Sequence, residues 1–298
     1  MELSNEENYI NFVNLRSNSN FPYLVLEIIN GHSYPRNAGF KVAHWHEDLQ
    51  FIYLEQGNIE VKTLNDTVHL SEGDCIFINK NVVHQVVQLG KVHYYSFIFP
   101  EKFLFFYEDS PTKKIVQQIT ENSSLQTFTL KSEKIEYRQS LNILQELVLL
   151  EKNKTEMYLY QVLVLLTQLW LEIQTHISIS LRETESFTQK RMKIFLIYID
   201  KHFSEDISLE DIAQSANVSK TECLRCFRQS MQNTPYQYLM EYRLSKGANL
   251  LINSEETIEV IANAVGFHQS SYFGKCFKEK TGYSPKQYRS IQKSDYKK

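Results

Sequence analysis

His44 and His46, two histidines separated by one residue, are the first side chains whose types and spacing suggest chemistry. Residues two apart on a strand project from the same face, so both imidazoles can converge on one point. His84 can join them from a second strand, and Gln50 follows four residues after His46. Imidazoles gathered in this way suit a transition-metal ion or the polar contacts of a small-molecule pocket. Cys223-x2-Cys226 has the spacing of half a zinc site, but tetrahedral zinc needs four ligands and no second close cysteine pair exists. A third group is built for nucleic acid. It comprises Lys220, Thr221, Leu224, Arg225 and Arg228, and then Gln269, Ser270, Ser271, Gly274 and Lys275. A guanidinium such as that of Arg225 can grip guanine O6 and N7, and Thr221 and Leu224 can pack on thymine methyls. Gln269, Ser270 and Ser271 offer hydrogen-bonding groups, Lys275 can reach a base or a phosphate, and Gly274 permits close approach.

The tail elements position that third group. Ser208-Leu209-Glu210-Asp211 reads as a capping box opening a short helix. Ala216-Asn217-Val218 makes a turn, and Ser219 caps a second helix through Arg228. Short helix, tight turn and capped helix form the helix-turn-helix pattern, whose second helix enters the major groove. The unit recurs: Thr257 to Ala264, then Val265-Gly266-Phe267, then Gln269 to Lys278. Phe227-x7-Pro235-x2-Tyr238 returns as Phe277-x7-Pro285-x2-Tyr288, displaced by 50 residues throughout. Cys223, Cys226 and Phe227 fall at i, i+3, i+4, as do Phe273, Cys276 and Phe277. Those faces should be buried, which assigns the cysteine pair to the core and turns the basic faces outward. Pro235 to Leu251 reads as one helix joining the two heads.

The front of the chain has another character. Residues 21 to 99 read as short strands: Tyr23–Ile29, Leu49–Gln56, Ile59–Leu64, Cys75–Ile78 and Val92–Phe99, with Gly57-Asn58 and Glu72-Gly73-Asp74 between them. Such spacing predicts a barrel or sandwich. Apolar stripes at helical period follow at 133–150 and 156–174. These two amphipathic helices suit either covering the barrel or pairing with a second chain. The expected division is 1–110, a sensing barrel; 111–175, a helical covering or dimerising region; 176–189, a linker; and 190–298, the DNA-binding domain. Net charge follows the same division, with −8 over residues 1–189 and +5 over residues 190–298, so the tail expects an anionic partner. The 42% hydrophobic and 22% charged composition is that of a soluble globular protein. An acidic, polar start and interrupted apolar runs argue against a secretory signal or a membrane span, and four scattered cysteines fit a reduced cytoplasm.

The tail resembles the AraC family of bacterial transcription regulators. The resemblance is carried by Leu209-Glu210-Asp211-Ile212-Ala213, by Ser219 to Phe227, and by Tyr238-Leu239-x3-Arg243-Leu244. It is strongest in Ile258-x2-Ile261-Ala262-x2-Val265-Gly266-Phe267-x4-Tyr272-Phe273-x3-Phe277-Lys278-x3-Gly282-Tyr283-Ser284-Pro285. It covers about 100 residues. It implies a two-headed DNA-binding domain, promoter binding and contact with RNA polymerase. Gln232 departs from the pattern, standing where the first copy usually has glycine, while the second copy keeps Gly282. In the front domain, His44-x-His46-x3-Gln50, Gly73-Asp74 and His84 are similar to the metal-binding pattern of cupin barrels. Gln50 replaces the carboxylate of that pattern, and a neutral amide cannot balance a divalent charge. The reading therefore assigns no metal and no cofactor, and makes Arg36, His44, His46, Gln50, Tyr53, His84 and Tyr94 a ligand pocket. Sugar-sensing relatives within the resemblance, together with Trp45, Tyr53, Tyr94 and Tyr95, point to a polyhydroxylated effector.

The expected fold class is α+β: an N-terminal cupin-like β-barrel with amphipathic helices, then an all-α domain with two helix-turn-helix units. The expected function is a non-enzymatic, dimeric, cytoplasmic DNA-binding regulator answering to a small molecule. Two alternatives stand beside it: a front domain that only dimerises, and a metal-dependent enzyme with a DNA-binding tail.

Overall fold

The computed structural model describes residues 21–35, 42–107, 109–177 and 187–294. Arg36 and residues 178–186 of the expected linker lie outside the described residues. The chain divides into two compact units, residues 1–37 with 43–185 and residues 38–42 with 186–298.

The first unit holds strands β1 (Leu24–Ile29), β2 (His32–Tyr34), β3 (Leu49–Gln56), β4 (Asn58–Thr63), β5 (Thr67–Ser71), β6 (Cys75–Ile78), β7 (His84–Gln88), β8 (His93–Phe99) and β9 (Thr127–Leu130). They form a six-stranded sheet ordered β2-β1-β8-β3-β6-β9 and a three-stranded sheet ordered β5-β4-β7. The expected cupin-like barrel is therefore not formed. Closure requires the outer strands to pair with each other, and here β2 and β9 end one sheet while β5 and β7 end the other. The edge of β6 is taken by β9, a strand from beyond the segment expected to make the barrel. At Gly57 the backbone turns with φ +91, and a Cβ there would lie 2.3 Å from the Lys91 carbonyl oxygen, so only glycine fits between β3 and β4.

Both faces of β3 are buried from Leu49 to Leu54. Alternation sends Leu49, Phe51 and Tyr53 to one face and Gln50, Ile52 and Leu54 to the other. The first face packs under three helices, α1 (Pro111–Thr120), α2 (Arg138–Lys152) and α3 (Tyr158–His176). Phe51, Phe77, Phe97, Leu144, Leu147, Val162, Leu166 and Trp170 share one core there. Each such side chain contributes about 1.5–3 kcal/mol by leaving water. The helix expected from residue 133 starts at Arg138, after a 3-10 turn over Ile135–Tyr137.

The second unit is helical: α4 (Phe187–His202), α5 (Leu209–Ser215), α6 (Lys220–Met231), α7 (Pro235–Asn253), α8 (Ile258–Ala264), α9 (Ser270–Thr281) and α10 (Pro285–Ser294). Ser208 and Asp211 cap α5 reciprocally, and Ser219 accepts the Glu222 N–H at the start of α6. Thr234 and Gln237 make a second reciprocal cap on α7. Both second helices end in a left-handed residue, Gln232 at φ 51 and Gly282 at φ 80. Buried Arg243 donates from Nε to the Phe203 carbonyl (2.6 Å) and from Nη2 to the Glu205 carbonyl (2.6 Å), tying α7 to the chain just past α4. Among the described residues no helix is long and apolar enough to cross a membrane.

Candidate functional site

The outward faces of α6 and α9 follow from what each helix buries. Cys223, Cys226 and Phe227 are all 0% exposed, as are Phe273 and Phe277. Lys220, Thr221, Arg225 and Arg228 are exposed and Leu224 half-buried; Gln269, Ser270, Ser271 and Lys275 are exposed, with Gly274 half-buried. A Cβ added at Gly274 would meet nothing within 4 Å, so packing does not require glycine there. Gly247 of α7 is the contrast, since a Cβ would come within 2.8 Å of the Phe273 ring. α5–α6 and α8–α9 are thus both helix-turn-helix units with a polar second-helix face open to solvent.

Within α6 the charges are held. The Glu222 carboxylate accepts from Arg225 Nε (2.7 Å) and Nη2 (2.6 Å), and from Nη1 of Arg191 on α4 (2.5 Å). Arg225 Nη1 donates to Gln229 Oε1 at 2.8 Å. The Arg225 guanidinium draws the Glu222 carboxyl down to about 2. Lys220 reaches Glu210 on α5 at 2.7 Å. Glu222 and Arg191 were not singled out from sequence. The i, i+3 spacing of Glu222 to Arg225 was the signal for the first of them.

In the first unit, His44, His46 and His84 come together. Their ligand atoms lie within 4.8 Å of one another, and all three are buried. His44 and His84 exchange backbone hydrogen bonds (3.0 and 2.9 Å), which fixes the segment leading into β3 against the start of β7. Gln50, from the inner face of β3, lies 3.1 Å from His46 Nε2 and 2.6 Å from Ser96 Oγ on β8. His46 Nδ1–H donates to the Asp48 carbonyl (2.8 Å), and His84 Nδ1–H to the Val82 carbonyl (2.9 Å). In a neutral imidazole the other nitrogen is then an acceptor. Facing His46 Nε2, the Gln50 amide must present its N–H2 to the ring and its oxygen to the Ser96 hydroxyl.

Burial, reinforced by His44, lowers His46 to about 4, and burial with both neighbouring imidazoles puts His84 well below its ordinary value. These rings are neutral at pH 7. His84 Nε2 is buried with no hydrogen-bond partner. Imidazoles whose far nitrogens are tied to backbone carbonyls are oriented as metal ligands commonly are. The residues therefore fit the ion that the cupin resemblance implies. His44, His46 and His84 would hold a borderline cation such as zinc, which would supply Lewis acidity, with Gln50 adding no charge.

The other expected pocket residues divide between the two faces of the large sheet. Tyr94 shares its face with Ser96, is 1% exposed and is bonded to Gln88. Tyr53 lies on the opposite face, where Gln145 of α2 donates to its hydroxyl at 3.0 Å. Tyr95 is on that helix side too, donating to Glu27 at 2.6 Å. Ser96 and Asp48 belong to the cluster without having been expected there. Ser96 had a signal, as the one small polar side chain in the aromatic run HYYSFIF. Asp48, 2% exposed, had none.

Residues 212–291 match the helix-turn-helix domain family, and residues 32–98 match the cupin domain family. The cupin match covers a region that here forms two open sheets. The HTH-type transcriptional regulator YdeC of Bacillus subtilis is 26% identical over 254 residues, covering 85% of this chain and 87% of its own. The HTH-type transcriptional activator RhaR of Mannheimia succiniciproducens is 24% identical, with 83% and 86% covered. In fold, the chain resembles ToxT of Vibrio cholerae, in a structure with unsaturated fatty acid bound. The TM-score is 0.50 at 15% identity, with 92% and 96% covered. Two helix-turn-helix units with open polar faces, a tail that matches the domain family and relatives aligned along most of their length agree: the chain belongs to the AraC family of helix-turn-helix transcriptional regulators and carries an N-terminal accessory domain.

Proposed function

We propose that α6 and α9 enter successive major-groove segments of a promoter duplex, and that a small molecule bound between the two sheets of the accessory domain governs this binding. The family is one of regulators, and the chain is not an enzyme. The carrying observation is the pair of polar faces: Lys220, Thr221, Leu224, Arg225 and Arg228 on α6, and Gln269, Ser270, Ser271, Gly274 and Lys275 on α9. The single helix α7, 19 residues long and so about 28 Å, joins heads that read segments about 34 Å apart. Arg225 reads a guanine, Thr221 and Leu224 contact thymine methyls, and Gly274 lets a backbone approach α9. Replacing Arg225 and Lys275 together by alanine should lower affinity for a selected duplex by at least tenfold at unchanged melting temperature. Wild-type affinity in this double variant, measured by fluorescence anisotropy, would sink the assignment.

The effector sits against His44, His46, Gln50 and His84, with Tyr94 beside them. Its binding shifts how two copies pair through α2 and α3, which requires different affinities for the two arrangements. ToxT is a relative in fold with a fatty acid bound, which supports a small molecule as the kind of ligand without fixing its chemistry. The sugar expected from aromatic content has less support, because Tyr53 and Tyr95 lie on the helix side of the sheet. RNA polymerase is a further proposed partner. A second reading rests on the unpartnered His84 Nε2: the effector is a transition-metal ion held by the three imidazoles. Calorimetric titration of chelator-treated protein with zinc should then show one equivalent bound, lost in His84→Gln. No heat with zinc at millimolar concentration rejects it.

A further inference from the structure

The guanidinium of Arg225 carries five N–H donors, one on Nε and two on each terminal nitrogen. Three are engaged: Nε with Glu222 Oε2, one Nη2 hydrogen with Glu222 Oε1 and one Nη1 hydrogen with Gln229 Oε1. Two remain, one on Nη1 and one on Nη2. One hydrogen from each terminal nitrogen is a pair with which a guanidinium can grip the two acceptors of guanine, O6 and N7. Glu222 is in turn anchored from outside α6 by Arg191 on α4. At the same positions of the second head, displaced by 50, stand Tyr272 and Lys275, which form no such brace.

From this arrangement we propose that Glu222, steadied by Arg191 and helped by Gln229, is the specificity-determining positioning residue of the first head. It touches no base. It aligns Arg225 so that the free pair of donors faces one guanine, and it occupies the Arg225 donors that would otherwise donate to a lone phosphate oxygen in any sequence. The first head is thereby preorganised for one base, while the second, with an unbraced Lys275, adapts to sequence. The arrangement also limits flexibility, since an unbraced arginine must give up rotamer freedom on binding. This inference rests on the reading that Arg225 contacts a base.

The test is selection of bound duplexes from a random library by the full-length protein, comparing wild type with Arg225→Ala, Glu222→Gln and Gln229→Ala. The wild type should enrich guanine at one position of the first half-site, and Arg225→Ala should abolish that enrichment. Glu222→Gln should lower it about tenfold at that position alone, with other positions unchanged and binding to a non-selected duplex equal or stronger. Gln229→Ala should lower it by a smaller factor at the same position. If Arg225→Ala loses the guanine and Glu222→Gln keeps it in full, Arg225 reads unaided and the inference is wrong while the base contact stands. If Arg225→Ala keeps the guanine, the underlying reading fails as well. If Glu222→Gln changes a different position, Glu222 reads a base itself, which also overturns the proposal. A uniform loss at every position, with a lowered melting temperature, would make Glu222 structural and do the same.

Discussion

Asp48 is held at 2% exposure beside the histidine cluster, and its Oδ2 has no hydrogen-bond partner. Burial raises its carboxyl to about 7, with Lys102 opposing the shift. An acid raised in the folded state is ionised first in the unfolded chain, so this group costs stability as pH climbs from about 4 to about 7 and leaves it undiminished below that window. Asp48→Asn should therefore stabilise the protein by on the order of 4 kcal/mol at pH 8 and by under about 1 kcal/mol at pH 4. Urea unfolding at both pH values measures this, and an equal gain at each would refute it. His46 and His84 work in the other direction. Their lowered values make the neutral rings a source of stability that is lost as pH falls below about 6.5. The histidines were legible as a group because a two-residue spacing is local and fixes a shared face. Asp48 was not, because burial of a loop carboxyl is decided by strands far away in the chain.

At the scale of elements, the ends of α6 and α9 offer a comparison within one molecule. Gly282 takes a left-handed conformation without strain, and Gln232 takes the same conformation with a side chain. Gln232→Gly should stabilise the tail by about 0.5–1 kcal/mol, seen as a higher denaturation midpoint, and a lower midpoint would contradict it. The departure from the family pattern was visible in sequence, and its backbone consequence follows from it. Strands were read unevenly. β3 and β6 sit where the apolar runs placed them. β5 alternates as Thr-Val-His-Leu-Ser but is only five residues long with Leu70 alone fully buried, and β7, His-Gln-Val-Val-Gln, lacks the alternation that marks a half-buried strand. β9 is four residues long and lies between helices, so nothing local distinguishes it from a loop. The tail was the more legible half, because four of its helices, α5 to α8, carry their own start signals in Ser208, Ser219, Thr234 and Thr257.

The whole molecule combines an acidic front and a basic tail, and its proposed switch depends on two copies meeting. α3 leaves Tyr160 72%, Val164 44% and Leu171 64% exposed, three apolar side chains on a helix that also packs a full inner stripe. Val164→Asp with Leu171→Asp should convert a dimer to a monomer in sedimentation analysis and weaken binding to a two-half-site duplex more than to a single half-site. A wild-type protein that sediments as a monomer at tens of micromolar would remove the pairing from the mechanism. Periodicity announced many short strands in front, and that much is present. Which outer strands pair is settled by β9 arriving late in the chain, and alternation carries no word of partners.

Leaving the two sheets unjoined at their rims has a mechanical corollary. Among the described residues no strand of one sheet pairs with a strand of the other, and the His44–His84 bridge is an isolated backbone pairing beside the two ladders; Ile52 of β3 and Val61 of β4 are both fully buried. A hooped wall must snap rungs to widen. Two leaves need only repack, and a single exchange of aliphatic bulk on one of them would retune the size of the proposed effector admitted while every register stays as it is.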